Sequence, residues 1–290
     1  MAITASLVKE LRERTGAGMM ECKKALVECD GDIEAAAELM RKSGAAKADK
    51  KAGRIAADGM VNVKVSDDGK KAVIVEINSE TDFVAKDDSF KAFVSSVTDV
   101  IFNTDPADVD ALNASATADG QTIEQAREVL ISKVGENIKV RRFEIVTTEN
   151  SLASYQHGAR IGVLIESTAE NDMARDIAMH IAAVKPQCIQ ESDVPAEEVE
   201  KEKGILIAQA EASGKPPEII EKMIQGRLKK FLAEITLLGQ PFVKDPDQTV
   251  GKLLKSANAE INRFIRFEVG DGIEKKQEDF AAEVAAQMKS

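Results

Sequence analysis

The sequence is poor in the residues on which most enzymatic chemistry depends. Its two histidines, His157 and His180, stand in different segments with no cysteine or aspartate at ligand spacing, so neither a metal site nor a nucleophile-base pair is indicated. Three cysteines, Cys22, Cys29 and Cys188, are odd in number and form no C-x-x-C pair, which argues against a disulfide framework and a zinc knuckle alike. Cys22 and Cys29 share roughly one helical face and read as packing residues. Phosphate-cradling loops are missing too. Gly16-Ala17-Gly18 runs into Met19-Met20-Glu21 with no third glycine and no preceding strand, and Gly214-Lys215-Pro216 lacks the rest of a Walker loop. No catalytic residue, cofactor or metal is therefore expected, and the chain is not expected to bind a nucleotide itself.

Two further absences bear on location and partners. No uncharged apolar run approaches the roughly 18 to 20 residues needed to span a bilayer. The N-terminus reaches Lys9, Glu10, Arg12 and Glu13 before any signal-peptide core could form, so a cytoplasmic protein is expected. Positive charge is in deficit, with Lys+Arg 39 against Asp+Glu 50 and a net charge of -11, so the field that neutralises phosphates in a dedicated nucleic-acid binder is lacking.

What the chain does have is enough length and apolar content for a globular core: 290 residues, 43% of them apolar, allow two domains and a small accessory module. Residues 1–54 read as three short helices followed by a basic stretch. Thr4 caps the first helix and Gly16 ends it; the second runs from about Met19 to Cys29; Asp32 caps the third, which is expected to stop before Gly44. So small a module has a thin core, so at least one of Met19 and Met20 is expected to face solvent. From Lys47 to Arg54 the composition suits a solvated linker or a frayed helix, with contact to an acidic partner as the other reading.

Residues 55–147 read as a first α+β unit. Met60–Val65 and Ala72–Ile77 flank an Asp67-Asp68-Gly69-Lys70 turn as a hairpin. A helix carrying Phe90, Phe93, Val94, Val97 and Ile101 follows, then a polar spacer around Pro106. Thr122 to Gln125 forms a capping box, Gly135 closes the helix it opens, and a strand runs from Ile138 to Val146. The same order recurs over residues 148–186 and 237–270. Arg142-Phe143-Glu144-Ile145 and Arg266-Phe267-Glu268-Val269 close the two units alike, so the fold class is α+β, with two related antiparallel-sheet-plus-helix units. Residues 187–236 form an inserted antiparallel helical hairpin, whose outer part can bury its seam only against itself or another molecule. A C-terminal helix is expected within 271–290.

A few residues invite a functional reading. His180 lies at the edge of an apolar helix face and reads as structural; His157, in the turn Tyr155-Gln156-His157-Gly158, is either a surface turn residue or a partner contact. Thr81-Asp82-Phe83-Val84 places a large aromatic in a short polar connection, where a loop needs none. Either Phe83 tucks under the following helix or it is a wedge presented to a partner.

Thr81-Asp82-Phe83-Val84-Ala85-Lys86, the opening run from Leu11 to Met20, Tyr155 to Gly162, and Arg266-Phe267-Glu268-Val269-Gly270 together resemble bacterial translation elongation factor Ts, in the same order and over essentially the whole chain. The resemblance implies that residues 1–54 hold a ubiquitin-associated-like module and that the chain is a guanine-nucleotide exchange factor, not an enzyme. The implied partner is elongation factor Tu, a P-loop GTPase. It implies that Thr81, Asp82, Phe83 and Val84 dislocate the partner's Mg²⁺, and that Arg12, Met19, Met20 and His157 bind the partner. A weak homodimer through the helical hairpin is a further expectation. The rival reading is an adaptor or holdase that leaves nucleotide affinity unaltered.

Overall fold

The computed structural model describes residues 3–211 and 216–274. The three opening helices begin where short polar side chains can satisfy exposed amides. Thr4 Oγ1 accepts from Leu7 N at 3.3 Å to open α1 (Ala5–Thr15), which Gly16 ends in the left-handed region. Gly18 precedes α2 (Met19–Glu28), and Asp32 Oδ1 accepts from Ala35 N at 3.0 Å to open α3 (Ile33–Lys51). Val8, Leu11, Cys22, Ala25, Leu26 and Ala36 are buried together, so Cys22 is a core residue. Each of the fully buried leucines, Leu11 and Leu26, contributes roughly 1.5–3 kcal/mol, and neither Met19 nor Met20 is among the residues packed in this core.

One expectation about this module is corrected. The basic stretch from Lys47, read as a solvated linker or a frayed helix, is helical as far as Lys51, and the third helix does not stop before Gly44. Gly44 is buried where α3 lies along α7 (Ile123–Val134), and a Cβ there would stand 4.0 Å from the Glu128 carbonyl. The lysines keep their heads at the surface: Lys47 pairs with Glu21 at 2.6 Å, and Lys51 Nζ donates to the Gly135 carbonyl at 2.5 Å. Tertiary packing, which a local reading cannot see, extends the helix.

β1 (Asp58–Val65) and β2 (Lys71–Ser79) form the expected hairpin, and β3 (Ile138–Thr147) joins it on the β2 side, giving the order β1-β2-β3. As the middle strand, β2 is buried along nearly its whole length, which accounts for its apolar run from Ala72 to Val75 and Ile77, interrupted by Glu76. After β2 come a one-turn helix α4 (Asp82–Lys86) and α5 (Asp88–Thr104), which buries Phe90, Phe93, Val94, Val97 and Ile101 as the spacing predicts. The polar spacer around Pro106 is partly helical: Asp108 caps α6 (Val109–Ala114), whose single buried residue, Leu112, is too little for a periodic signal. α7 opens on the capping box of Thr122 and Gln125 and ends at Gly135.

The second sheet repeats this plan. β4 (Ser151–His157) and β5 (Ile161–Ser167) pair antiparallel, with His157 opposite Ile161, then α8 (Asn171–Val184) follows. β8 (Ile261–Glu268) joins on the β5 side, giving β4-β5-β8. In both sheets a late strand is added to the second strand of a hairpin, and the two Arg-Phe-Glu segments occupy those late strands. Before β8 come the helical hairpin of α9 (Ala196–Glu211) and α10 (Pro217–Ile235), the β6 (Pro241–Phe242) and β7 (Asp245–Thr249) ribbon, and α11 (Val250–Ser256). Backbone bonds from Leu237 N to Cys188 O and from Leu238 N to Ile189 O close the base of the hairpin. Buried Leu237 and Phe242 belong to the same core as Val163, Ile165, Ile177 and Ile181. His180 is fully buried, accepting from Val243 N at Nδ1 (3.2 Å) and donating from Nε2 to Gln240 Oε1 (3.0 Å), a structural role as read from the sequence. Burial pushes the His180 pKa below its ordinary value, against a smaller upward pull from Gln240.

The described residues divide into two units, one of 3–62, 75–145 and 267–274, the other of 63–74, 146–211 and 216–266. In the first, the buried Glu76 carboxylate accepts from Arg141 Nη1 (2.9 Å), Arg142 Nε (2.7 Å) and Gly270 N (2.8 Å). Burial alone would raise its pKa, but these bonds and one from Asn78 together lower it. Gly270 has φ +75°, and a Cβ there would sit 2.2 Å from the Ala57 carbonyl oxygen, so the segment can approach Glu76 only as glycine. The expected C-terminal helix lies outside the described residues, apart from the opening segment as far as Glu274.

Candidate protein-binding site

The run Thr81 to Lys86, expected as a loop, folds as the single turn α4, pinned at both ends. Thr81 Oγ1 accepts from Val84 N at 3.4 Å at the start, and Asp87 at the end caps the next helix through Ser89 N (2.8 Å) and Phe90 N (3.3 Å). A one-turn helix has no intrinsic stability in water, so these caps and the burial of Val84 and Ala85 must hold it. Asp82, Phe83 and Lys86 consequently face outward. Phe83 is 79% exposed, which excludes the reading in which its ring tucks under the following helix. Lys86 Nζ lies 2.6 Å from Asp82 Oδ2 and 5.9 Å from the Phe83 ring centroid, so the ring stands beside an ion pair. Thr81 and Val84 thus act at the base of the turn, and Asp82 and Phe83 form its tip.

The base is tied to a distant corner. Glu136, between α7 and β3, accepts from Thr81 N at Oε2 (2.9 Å) and from Thr81 Oγ1 at Oε1 (2.7 Å). Reciprocally, Asn137 N donates to Glu80 Oε1 at 2.6 Å, and Asn137 Nδ2 donates to the carbonyls of Arg54 (2.8 Å) and Ala52 (3.3 Å). Sequence reasoning missed Glu136, Glu80 and Asn137. Their one local sign is polarity beside a helix stop, which many surface turns share.

In the three-helix module, Met19 and Met20 are 60% and 67% exposed, so both face solvent. Val27, also missed, is 58% exposed; it is seven residues on from Met20, and with Lys23, Lys24 and Glu28 the two line a shallow apolar hollow on α2. The i, i+7 relation was the available signal. Arg12 is exposed on α1 of the same module. His157 is exposed in the other unit at the end of β4, where its Nδ1 lies 3.2 Å from Tyr155 Oη and the two rings stack. The structure therefore groups Arg12, Met19 and Met20 in one module and Thr81 to Val84 in one turn, with His157 in a separate sheet.

Among the described residues, no group of three or more His, Cys, Asp or Glu is placed to hold a metal, and no helix is long and apolar enough to cross a membrane. Met19, Met20, Val27 and Phe83 are exposed apolar side chains carried on helices, the kind of side chain a protein-binding surface uses.

A family model described as Elongation factor TS matches residues 80–271, from the residue before Thr81 to the residue after Gly270. The chain is 62% identical over 292 residues to Elongation factor Ts of Thioalkalivibrio sulfidiphilus (strain HL-EbGR7), covering 100% of this chain and 99% of that protein. This chain belongs to the elongation factor Ts family. Elongation factor Ts of Alkalilimnicola ehrlichii (strain ATCC BAA-1101 / DSM 17681 / MLHE-1) is 61% identical with the same coverage. That of Halorhodospira halophila (strain DSM 244 / SL1) is 58% identical over 290 residues. The match to these elongation factor Ts proteins extends through the three-helix module, which precedes the segment matched by the family model.

Proposed function

We propose that this chain is a guanine-nucleotide exchange factor of translation elongation that binds elongation factor Tu in its GDP state and promotes GDP release in the cytoplasm. The observation that carries the reading is Phe83, an aromatic ring held 79% in water at the tip of a turn fixed at both ends. The ring enters between elements of the GTPase and displaces backbone near Mg²⁺. The Asp82 carboxylate disturbs the hydrogen bonds that orient the metal's ligands, so metal and phosphate charges are held less well. The chain itself performs no bond chemistry.

Accelerating release by about 10³ to 10⁵ lowers the barrier by roughly 4 to 7 kcal/mol, more than one side chain supplies. A broad interface must therefore hold the wedge in place. Arg12, Met19 and Met20 supply one contact surface, where flexible thioethers adapt to a partner, and His157 on the second unit supplies another. The test is stopped-flow release of fluorescent GDP from elongation factor Tu. The wild-type chain is expected to accelerate release and Phe83→Ala to lose most of that gain; an off-rate unchanged by the wild-type chain would make it an adaptor.

A further inference from the structure

A wedge works only if its tip is held still when the partner resists, and α4 is too short to hold itself. Beside the burial of Val84 and Ala85, the local polar supports are modest. The bond from Val84 N to Thr81 Oγ1 is long at 3.4 Å, and the Asp82–Lys86 pair is exposed to water and salt. The strong support comes from 55 residues further along the chain, where the single carboxylate of Glu136 takes both donors of Thr81, the amide at 2.9 Å and the hydroxyl at 2.7 Å. Hydrogen bonds to an ionised acceptor are about twice as strong as neutral ones, and a two-point grip fixes orientation as well as distance. The Glu80 carboxylate returns the bond to Asn137 N at 2.6 Å, so each of the two corners holds the other.

We infer that Glu136 is a positioning residue for nucleotide exchange: by holding both donors of Thr81 it sets the direction and stiffness with which α4 presents Phe83. The inference rests on the wedge reading above. Glu136 acts through the tip, whose main element is the ring, so most of its contribution disappears when the ring is gone. That dependence separates it from a residue that merely stabilises the fold.

The experiment is a double-mutant cycle on the full chain, with GDP release from elongation factor Tu read by stopped flow and folding read by thermal unfolding. Glu136→Gln replaces one acceptor oxygen by a donor and breaks one arm of the grip. It is expected to slow release by about threefold to thirtyfold, in line with the loss of a helix-capping bond. In a Phe83→Ala background the same substitution is expected to change release by less than about twofold. Thr81→Val should reproduce the Glu136→Gln effect and Thr81→Ser, which keeps the hydroxyl, should restore release. Equal slowing by Glu136→Gln with and without the Phe83 ring, or no slowing in the wild-type background, would overturn the inference. Release unaffected by Phe83→Ala alone would overturn the wedge, and the role of Glu136 with it. Should Glu136→Gln unfold the chain, Thr81→Val and Thr81→Ser in the two backgrounds decide the same question.

Discussion

At the scale of single residues, the informative property of Phe83 is its exposure: the ring stands largely in water beside the Lys86 ammonium. Truncating a buried phenylalanine leaves a cavity and costs about 3 to 5 kcal/mol, whereas truncating an exposed one usually changes stability by no more than about 0.5 kcal/mol. Phe83→Ala is therefore expected to leave the melting temperature nearly unchanged while raising the barrier to GDP release by about 1 to 3 kcal/mol. Asp82→Ala breaks the exposed pair with Lys86 and removes the smaller part of the tip, so it should raise the barrier less. A clear drop in melting temperature for Phe83→Ala would show the ring packing inward in solution. His180 behaves oppositely. Its folded pKa lies below the ordinary value because burial disfavours the charged ring, so below about pH 6.5 the unfolded chain takes up a proton the folded chain refuses. Stability contributed by the neutral ring is full above that pH and falls as pH drops toward the folded pKa. Thermal unfolding between pH 7.5 and 5 is expected to show this loss, and His180→Gln to flatten the slope; an unchanged slope would assign it to other groups.

Among elements, those that carry their own punctuation were readable and those that depend on neighbours were not. Thr4, Asp32, the Thr122 capping box, Gly16 and Gly135 act within their own helix, so those boundaries were visible in the chain. α3 beyond Gly44 was not, because its continuation rests on α7, some 80 residues away in sequence. The candidate site divides the same way: the tip at Phe83 stood out as an apolar residue in a polar run, while Glu136 has meaning only once the fold sets it against Thr81. This alters how the three-helix module should be tested. Deleting residues 1–50 would cut α3 and uncover α7, so the cleaner variant is Met19→Asp with Met20→Asp, both exposed and outside the module's core. That pair is expected to weaken complex formation while leaving thermal unfolding near wild type; unchanged affinity in a titration would remove α2 from the interface. The helical hairpin calls for similar care. Its base, tied through Cys188 and Ile189 to Leu237 and Leu238, belongs to the core of the second unit. Replacing only residues 196–232 by a short Gly-Ser connection should preserve that base and retain exchange. Because Ile205, Ile207 and Ile219 are exposed on the hairpin, the replacement is expected to abolish any weak self-association seen by sedimentation. Lost exchange in a variant that remains folded by circular dichroism would put the hairpin in the functional interface.

For the whole molecule, the governing constraint is thermodynamic. A chain that promotes GDP release does so because it and GDP bind the same GTPase antagonistically, and such a coupling free energy is reciprocal. The shallow apolar hollow on α2, the Phe83 turn and His157 stand in separate elements; on the proposed function, the coupling is spread over these contacts and the wedge converts only part of it into rate. The affinity of this chain for elongation factor Tu is therefore expected to fall on saturation with GDP by the same factor by which this chain weakens GDP binding, and calorimetry in both orders measures the two factors independently. Phe83→Ala should reduce both factors equally, since binding free energies close a cycle even when the rates do not. Met19→Asp with Met20→Asp should instead lower affinity for the GDP-bound and nucleotide-free partner alike, leaving the ratio near its wild-type value, because uniform binding shifts no equilibrium. If the methionine pair changed the ratio as strongly as Phe83→Ala, the division between an anchoring module and a wedge would fail, and the three-helix module would itself have to distinguish the two states of the GTPase.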